Sequence, residues 1–256
     1  MNFANKHAVV TGGAAGIGQC IVENFLKTGT RVSVIDVNPV LVDNEGQGFA
    51  SDTRASSLHF FQGDIACRET LEKFVGSLTI PVDFLINNAC TSRKGLLSGC
   101  TWEDFEYVQR VGVTAPYYLT QQLLSRGLLA QGASIVNIAS TRGFQSQPDT
   151  ESYSAVKGGI LALTHSMSVS LAGHARVNAI SPGWIDTTGE NHSPENHAQH
   201  PAGCVGKPQD IAEMVMFLCD NTRAGFITGE NIFVDGGMSK QMIYHGDHGW
   251  RLCREE

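Results

Sequence analysis

Alternation of short β-branched runs with longer amphipathic segments is the feature that most constrains how this chain folds. The short runs predict strands, and the segments between them repeat apolar residues at helical spacing. Strand and helix in alternation favour right-handed crossovers around a parallel sheet. We therefore predict an α/β fold, a doubly wound parallel seven-stranded sheet in a single domain. The predicted strands are His7–Thr11, Arg31–Asp36, Leu58–Gln62, Val82–Asn87, Ser134–Ala139, Arg176–Ser181 and Asn231–Val234. The predicted helices include Ile17–Thr28, Thr101–Leu129 and Ser152–Ala172.

Domain boundaries follow from where this alternation stops. Residues 1–239 contain no linker rich in Pro or Ser and are predicted to form one domain. Within them, residues 184–206 lose the apolar period, and we interpret this segment as a mobile lid beyond a strand end. Residues 240–256 are too apolar for a free end, which predicts a tail that packs on the lid or on a neighbouring subunit.

Charge and cysteine content narrow the function classes. The net charge is −7, and no cluster of Lys or Arg suggests a nucleic acid or a membrane surface as partner. No segment has the uninterrupted apolar length of a membrane span. The seven cysteines form no C-x-x-C pair, which indicates reduced thiols and no structural metal site. We expect a cytoplasmic protein without metal.

A glycine-rich turn follows the first predicted strand and opens the first helix. Gly12, Gly16, Ile17 and Gly18 lie where a pyrophosphate can accept backbone N–H bonds at a helix N-terminus. The turn alone is a weak signal, because a tight strand-to-helix connection also needs glycine. Asp36 strengthens it by closing the second strand 18 residues after Gly18. The two features together predict a Rossmann-type dinucleotide site.

Asp36 also bears on which dinucleotide binds. Its carboxylate can accept hydrogen bonds from the adenosine ribose hydroxyls, and its charge would repel a 2′-phosphate. This predicts NAD over NADP. The alternative is that Asp36 merely caps a helix that follows residues 37–39.

Several motifs in a fixed order carry a family resemblance. Each lies at a predicted strand end or on a predicted helix, and together they cover residues 5–239. They are the turn T-G-G-A-A-G-I-G, Asp64, Asn87-Asn88-Ala89, Ser140, Tyr153-Ser-Ala-Val-Lys157 and Pro182-Gly183. In this combination the chain resembles the short-chain dehydrogenase/reductase family. The resemblance implies hydride transfer between a nicotinamide cofactor and a small alcohol or carbonyl substrate, with a secondary alcohol and a ketone interconverted.

The resemblance gives roles to three residues. Tyr153 would be the general acid/base, Lys157 would stabilise its phenolate and hold the nicotinamide ribose, and Ser140 would hold the substrate oxygen. Tyr153 and Lys157 stand four apart and share one helix face, and an ordinary tyrosine, with a pKa of about 10, needs such help. Ser140 alone would be read as a strand-end turn residue.

The remaining site residues also follow from the resemblance. Substrate contacts are expected from Ser140, Tyr153, Arg142 and Trp184, although Arg142 could equally be a solvated rim residue. Asn87 is expected to tie strands together. Besides the glycine-rich turn and Asp36, the expected cofactor contacts are Asp64, Ile65, Asn88, Ala89, Tyr153, Lys157, Pro182, Gly183 and Ile185.

Gly112 departs from the family pattern, which has an asparagine there to hold a water of a proton relay. Pro116 has no N–H to bond the Gly112 carbonyl. We hypothesise that this free carbonyl keeps the relay water and that the missing amide leaves room for another, so Gly112 is counted among the catalytic residues. The alternative is a catalytically weak NAD-binding sensor or scaffold.

Three further features leave alternatives open. Cys90 stands where glycine is usual and is either a reactive thiol or inert packing. His192, His197 and His200 suggest a metal site, but their irregular polar surroundings favour a solvated lid. The helices around 117–118 and 160–169 carry surplus apolar residues, and the resemblance implies that they pair in a homodimer or homotetramer.

Overall fold

The centre of the molecule is a parallel sheet of seven strands. A computed structural model describes residues 3–39 and 57–242 of the chain. The spatial order is β3-β2-β1-β4-β5-β6-β7, so the chain direction across the sheet reverses between β1 and β4. The predicted doubly wound fold is confirmed, and its crevice lies beyond the carboxyl ends of β1 and β4. The strands are β1 (His7–Thr11), β2 (Arg31–Asp36), β3 (Leu58–Gln62), β4 (Val82–Asn87), β5 (Leu129–Ile138), β6 (Ala175–Pro182) and β7 (Asn231–Val234).

Two strands differ from their predicted bounds. β5 begins at Leu129 rather than Ser134, and its pairing register with β4 shifts between Val82 and Phe84. The early part of β5, residues 129–133, has no β-branched residue and contains Gly132 in a left-handed conformation, so it lacks the β-branched signal. β6 extends one residue further at each end than predicted.

The helices cover both faces of the sheet. α1 and α7 pack on one face around Phe25 and Leu218, whereas α2, α4 and α5 pack on the other around Phe74 and Leu119. Each face buries its own apolar cluster, as a doubly wound sheet requires. The helices are α1 (Gly16–Lys27), α2 (Arg68–Ser77), α3 (Trp102–Gln109), α4 (Ala115–Ser125), α5 (Glu151–Ser170), α6 (Pro194–Ala198), α7 (Pro208–Cys219) and α8 (Asn221–Ala224).

The prediction of one long helix over Thr101–Leu129 is wrong. A π-helical segment, Arg110–Thr114, separates α3 from α4, and α4 ends at Ser125. The Ala115 N–H donates to the Arg110 carbonyl, five residues back instead of four. Pro116 removes one N–H from the regular ladder, and the wider turn accommodates that loss.

The structure describes the start of the predicted C-terminal tail and allows a search for membrane spans. Of the tail, the structure describes residues 240–242, where the Gln241 side-chain amide donates to the Gln199 carbonyl of the predicted lid at 2.5 Å. Residues 243–256 lie outside the described residues. Within residues 3–39 and 57–242, no helix combines the length and apolar character needed to cross a membrane.

Candidate active site

The glycine-rich turn is closed by contacts that only glycine permits. Gly12 has a φ of +66°, and a Cβ there would lie 2.7 Å from the Cα of Ala89. A Cβ on Gly18 would lie 2.0 Å from the Gly12 carbonyl oxygen. The Asn88 side-chain amide donates to the Thr11 and Gly12 carbonyls at 3.1 and 2.8 Å. The turn therefore lies directly against the end of β4 and leaves its outer backbone open.

Asp36 is buried at the end of β2 and braces the same turn. Its Oδ2 accepts the Ala14 N–H and its Oδ1 accepts the Asn38 N–H, both at 2.9 Å. Within the described residues, each oxygen has a lone pair left for a further donor. The helix that Asp36 would cap in the alternative interpretation falls on residues 40–56, outside the described residues.

A cavity of about 490 Å³ opens between the turn, Asp36 and the end of β4. This volume lies in the range of small-molecule and cofactor sites. An apolar floor, a glycine-lined edge and a buried carboxylate at one end fit a dinucleotide. Of the predicted cofactor contacts, those that line it are Gly12, Ile17, Gly18, Asp36, Asp64, Ile65, Asn88 and Ala89.

The other predicted cofactor residues lie around this cavity without lining it. Gly16 lies near Thr187, and a Cβ on Gly16 would lie 3.3 Å from Cγ2 of Thr187. Pro182 ends β6, and Gly183 lies so close to β7 that a Cβ would be 2.7 Å from the Cα of Asp235. Ile185 pairs with Gly206 in an isolated bridge that closes the base of the segment 184–206.

Tyr107 and Thr187 line the cavity but were not singled out from sequence. The Tyr107 hydroxyl donates to Asp64 Oδ2 at 3.0 Å, and the Ala66 N–H donates to Asp64 Oδ1 at 2.8 Å. Burial is the main cause that raises the pKa of Tyr107, and the hydrogen bond to Asp64 raises it further. Thr187 could have been found as a polar residue just beyond a strand end, whereas no signal connects Tyr107 with Asp64.

The predicted catalytic side chains meet where β5 ends against α5. Lys157 is only 3% exposed; its Nζ donates to the Ile138 carbonyl at 2.7 Å and lies 5.4 Å from the centre of the Tyr153 ring. Ser140 Oγ accepts the Arg142 N–H at 3.1 Å, which leaves its own O–H free to donate. The arrangement offers a cation beside a phenol and a hydroxyl donor nearby.

The space beside Gly112 differs from our hypothesis. A Cβ on Gly112 would lie 2.1 Å from Cγ1 of Val156, on the helix that carries Tyr153 and Lys157. The Val156 side chain therefore fills the room that we expected the missing amide to leave for a second water, and that part of the hypothesis is wrong. Gly112 and Val156 fit together, because the valine side chain lies where a side chain at 112 would begin.

The predicted solvated lid is wrong for its histidines. His200 is 1% exposed, and its Nδ1 lies 3.1 Å from the Asn196 carbonyl, which fixes a proton on that nitrogen. His192 packs edge-on against Trp184 with ring centres 5.1 Å apart, and its Nε2 lies 3.4 Å from Asp186. His197 Nδ1 accepts the Val205 N–H at 3.1 Å. The three histidine rings and Trp184 contact one another, and no group of metal ligands occurs among the residues that the structure describes.

The remaining residues that were named from the sequence lie in different parts of the structure. Cys90 is exposed and lines the cofactor cavity. The Asn87 side chain bonds that of Asn137 at 2.8 Å, so it ties β4 to β5 as predicted. Arg142 hydrogen-bonds Gln147 on the protein surface. Trp184, the other predicted substrate contact, is 37% exposed beside the histidine cluster.

Comparisons with known proteins agree with this geometry. A family model described as enoyl-(acyl carrier protein) reductase matches residues 12–239. An uncharacterized oxidoreductase of Thermotoga maritima is 42% identical, over 93% of this chain and 98% of that protein. The apo SCOR enzyme of Clostridium thermocellum is 45% identical with a TM-score of 0.85, covering 98% of this chain and 100% of that one.

A third relative is the short-chain dehydrogenase/reductase described as a glucose/ribitol dehydrogenase from Brucella melitensis. It is 30% identical with a TM-score of 0.78, over 93% of this chain and 99% of that one. The range that the family model matches, residues 12–239, includes most of the glycine-rich turn and the helix that carries Tyr153. This chain therefore belongs to the short-chain dehydrogenase/reductase family of oxidoreductases.

Proposed function

We propose that this protein is an NAD(H)-dependent oxidoreductase that interconverts a secondary alcohol and a ketone. The observation that carries the proposal is the buried Lys157 ammonium, which lies 5.4 Å from the centre of the Tyr153 ring and donates to the Ile138 carbonyl, two residues before Ser140. A nucleotide-binding scaffold would need the glycine-rich turn and Asp36 but no cation beside a phenol.

Each side chain has a role in moving one proton. The Ser140 O–H donates to the substrate oxygen, because its Oγ already accepts the Arg142 N–H. Tyr153 takes the hydroxyl proton in the oxidative direction and returns it in the reductive one. The Lys157 ammonium lies beside the Tyr153 ring, where it can hold the nicotinamide ribose. When bound, a nicotinamide dinucleotide would accept hydride from the substrate carbon or donate hydride to it. Arg142 and Trp184 are proposed to contact the substrate.

Asp36 supports NAD as the cofactor. Its carboxylate is buried and lines the cavity, so it can bind ribose hydroxyls and would repel a 2′-phosphate. We expect kcat/KM with NAD to exceed that with NADP by about a hundredfold, which a 2.7 kcal/mol difference in binding would produce. A preference for NADP would contradict this assignment.

The test of the reaction class is turnover with NAD and NADH across secondary alcohols, polyols, steroids and keto esters. Tyr153→Phe should lower kcat about a thousandfold, since general acid–base catalysis contributes roughly that factor. NADH binding, followed by fluorescence titration, should stay within a few-fold of wild type and serves as the control. Unaltered NADH binding with no turnover on any class, in wild type as well, would favour the sensor alternative.

A further inference from the structure

A short loop between β4 and α3 is fixed by two carboxylates. The N–H groups of Leu97 and Ser98 donate to Oδ1 of Asp149 at 2.8 and 3.2 Å, and the Leu96 N–H donates to Oε2 of Glu151 at 3.0 Å. We call residues 95–98 the leucine loop. Three consecutive backbone donors are therefore held by residues that lie four and two positions before Tyr153.

Asp149 has a backbone conformation that few other residue types adopt. Its φ is +64°, in the left-handed region that asparagine, aspartate and glycine tolerate. Gly95 packs so closely that a Cβ there would lie 2.4 Å from the Asp149 backbone carbonyl. Hydrogen bonds from Ser98 and the Leu97 N–H lower the pKa of Asp149. The carboxylate is thus ionised at neutral pH and stays a strong acceptor.

The leucine loop holds two large apolar side chains in water. Leu96 is 80% exposed and Leu97 is 89% exposed. Ordering a loop costs conformational entropy, and ordering it with leucines outward gains no burial within the chain. The hydrogen bonds to Asp149 and Glu151 hold the loop in place, and both leucine side chains remain available for contact with an occupant outside the chain.

The position of the loop identifies that occupant. Its preceding segment lines the cofactor cavity through Cys90 and Arg93, and its attachment lies at the start of α5. The loop therefore spans from the cofactor cavity to the helix that carries Tyr153. We infer that Asp149 and Glu151 are positioning residues that hold Leu96 and Leu97 as an apolar lip of the substrate cleft, and that the substrate carries an apolar group that packs against them. The substrate part rests on the function proposed above.

The attachment can be tested without any activity, because Arg93 and Lys94 are trypsin sites directly before the loop. Asp149→Gly keeps the left-handed backbone but removes the acceptor, and we expect cleavage at Lys94 to accelerate about tenfold, as loss of two hydrogen bonds would allow. Asp149→Asn retains an Oδ1 acceptor and the backbone preference, so it should cleave like wild type. Equal cleavage of all three proteins would overturn the attachment.

The substrate part is tested with a series of secondary alkyl alcohols. We expect wild-type kcat/KM to rise from the butyl to the octyl alcohol, and Leu96→Asn/Leu97→Asn to reduce the octyl-to-butyl ratio about tenfold, as lost burial of a few methylenes predicts. Phe226→Asn, at a fully exposed apolar residue after α8, is the control and should leave the ratio unchanged.

The outcomes separate the two proposals. Preference for polyols over alkyl alcohols, or a ratio that the double substitution leaves unchanged, would overturn the apolar lip while leaving the oxidoreductase function intact. Absence of turnover on every class in wild type would remove the proposed function and the substrate part together. The trypsin pattern would still decide the attachment by itself.

Discussion

Gly112 and Val156 show how a departure from a family pattern is absorbed by a neighbouring residue. The π-helical segment brings the backbone of residue 112 against α5, and Val156 occupies the space in which a side chain at 112 would begin. The contact is between helices and joins residues far apart in sequence, so the motif around Tyr153 does not reveal it.

This pairing predicts the effect of restoring the family's asparagine. Gly112→Asn should lower stability by about 1–3 kcal/mol, because it overpacks a closed contact. Adding Val156→Ala should recover most of that loss, and Val156→Ala alone serves as the control for the cavity it leaves. Urea unfolding of the three variants measures the coupling. Additive effects of the two substitutions would show that the side chains do not share the space.

His7 is a second residue whose surroundings make a prediction. It is 3% exposed on β1; its Nδ1 lies 3.2 Å from the Ile80 carbonyl, and its Nε2 lies 2.9 Å from the Ser33 hydroxyl. The carbonyl requires Nδ1 to carry the proton, so Nε2 accepts from Ser33 in a neutral ring. Burial lowers the pKa of His7, and this effect outweighs the opposite influence of Asp83.

The sign of the pH effect follows from that direction. Because the folded pKa lies below the ordinary value of about 6.5, the unfolded chain binds a proton at higher pH, and stability is lost as pH falls below that value toward the folded pKa. His7→Asn removes this titration. Urea unfolding should show a smaller loss between pH 7.5 and 5.5 for the variant than for wild type. Equal losses of stability in the two proteins would mean that His7 has the same pKa in the folded and the unfolded chain.

At the scale of elements, prediction from sequence worked where one periodicity governs a segment. Five of the seven strands have the predicted bounds, because each is a compact run that contains β-branched or aromatic residues. The break between α3 and α4 was missed, since the apolar period continues through it and only the missing N–H of Pro116 disturbs the backbone. The histidine cluster was missed because burial of a polar segment arises from tertiary contacts with Trp184 and the end of β7.

The residues of the candidate site also fall into those that the sequence predicts and those that it does not. Gly12, Gly18 and Asp36 were predictable, because a strand end, a glycine-rich turn and a carboxylate at fixed spacing impose their own geometry. Tyr107 reaches Asp64 from a separate helix, and the attachment of the leucine loop joins residues about fifty positions apart. Such contacts depend on how crossovers bring helices over the sheet, and single-sequence patterns do not contain that information.

At the scale of the whole molecule, the outer faces of α4 and α5 bear on assembly. Tyr117 is 51% exposed and Val169 is 77% exposed, although both helices already bury a sheet-facing side. An apolar outer face on adjacent helices is typical of a subunit interface. We propose that these helices pair in a homodimer or homotetramer.

A single charge should disrupt that pairing. Val169→Asp would place an unpaired carboxylate in the interface and should shift the mass measured by light scattering toward the 27.6 kDa monomer. Leu97→Asp adds the same charge to an exposed leucine outside α4 and α5, and it should leave the mass unchanged. A wild-type protein that is monomeric at micromolar concentration would contradict the assembly.

Asp36 has a consequence for how this protein could change its cofactor over evolutionary time. The carboxylate proposed to select the unphosphorylated ribose also holds the Ala14 N–H of the glycine-rich turn. A single substitution at 36 that admits a phosphate would therefore release the turn against which every dinucleotide must lie. A lineage moving toward the phosphorylated cofactor would need a second change, one that restores an acceptor for Ala14, before the first becomes tolerable.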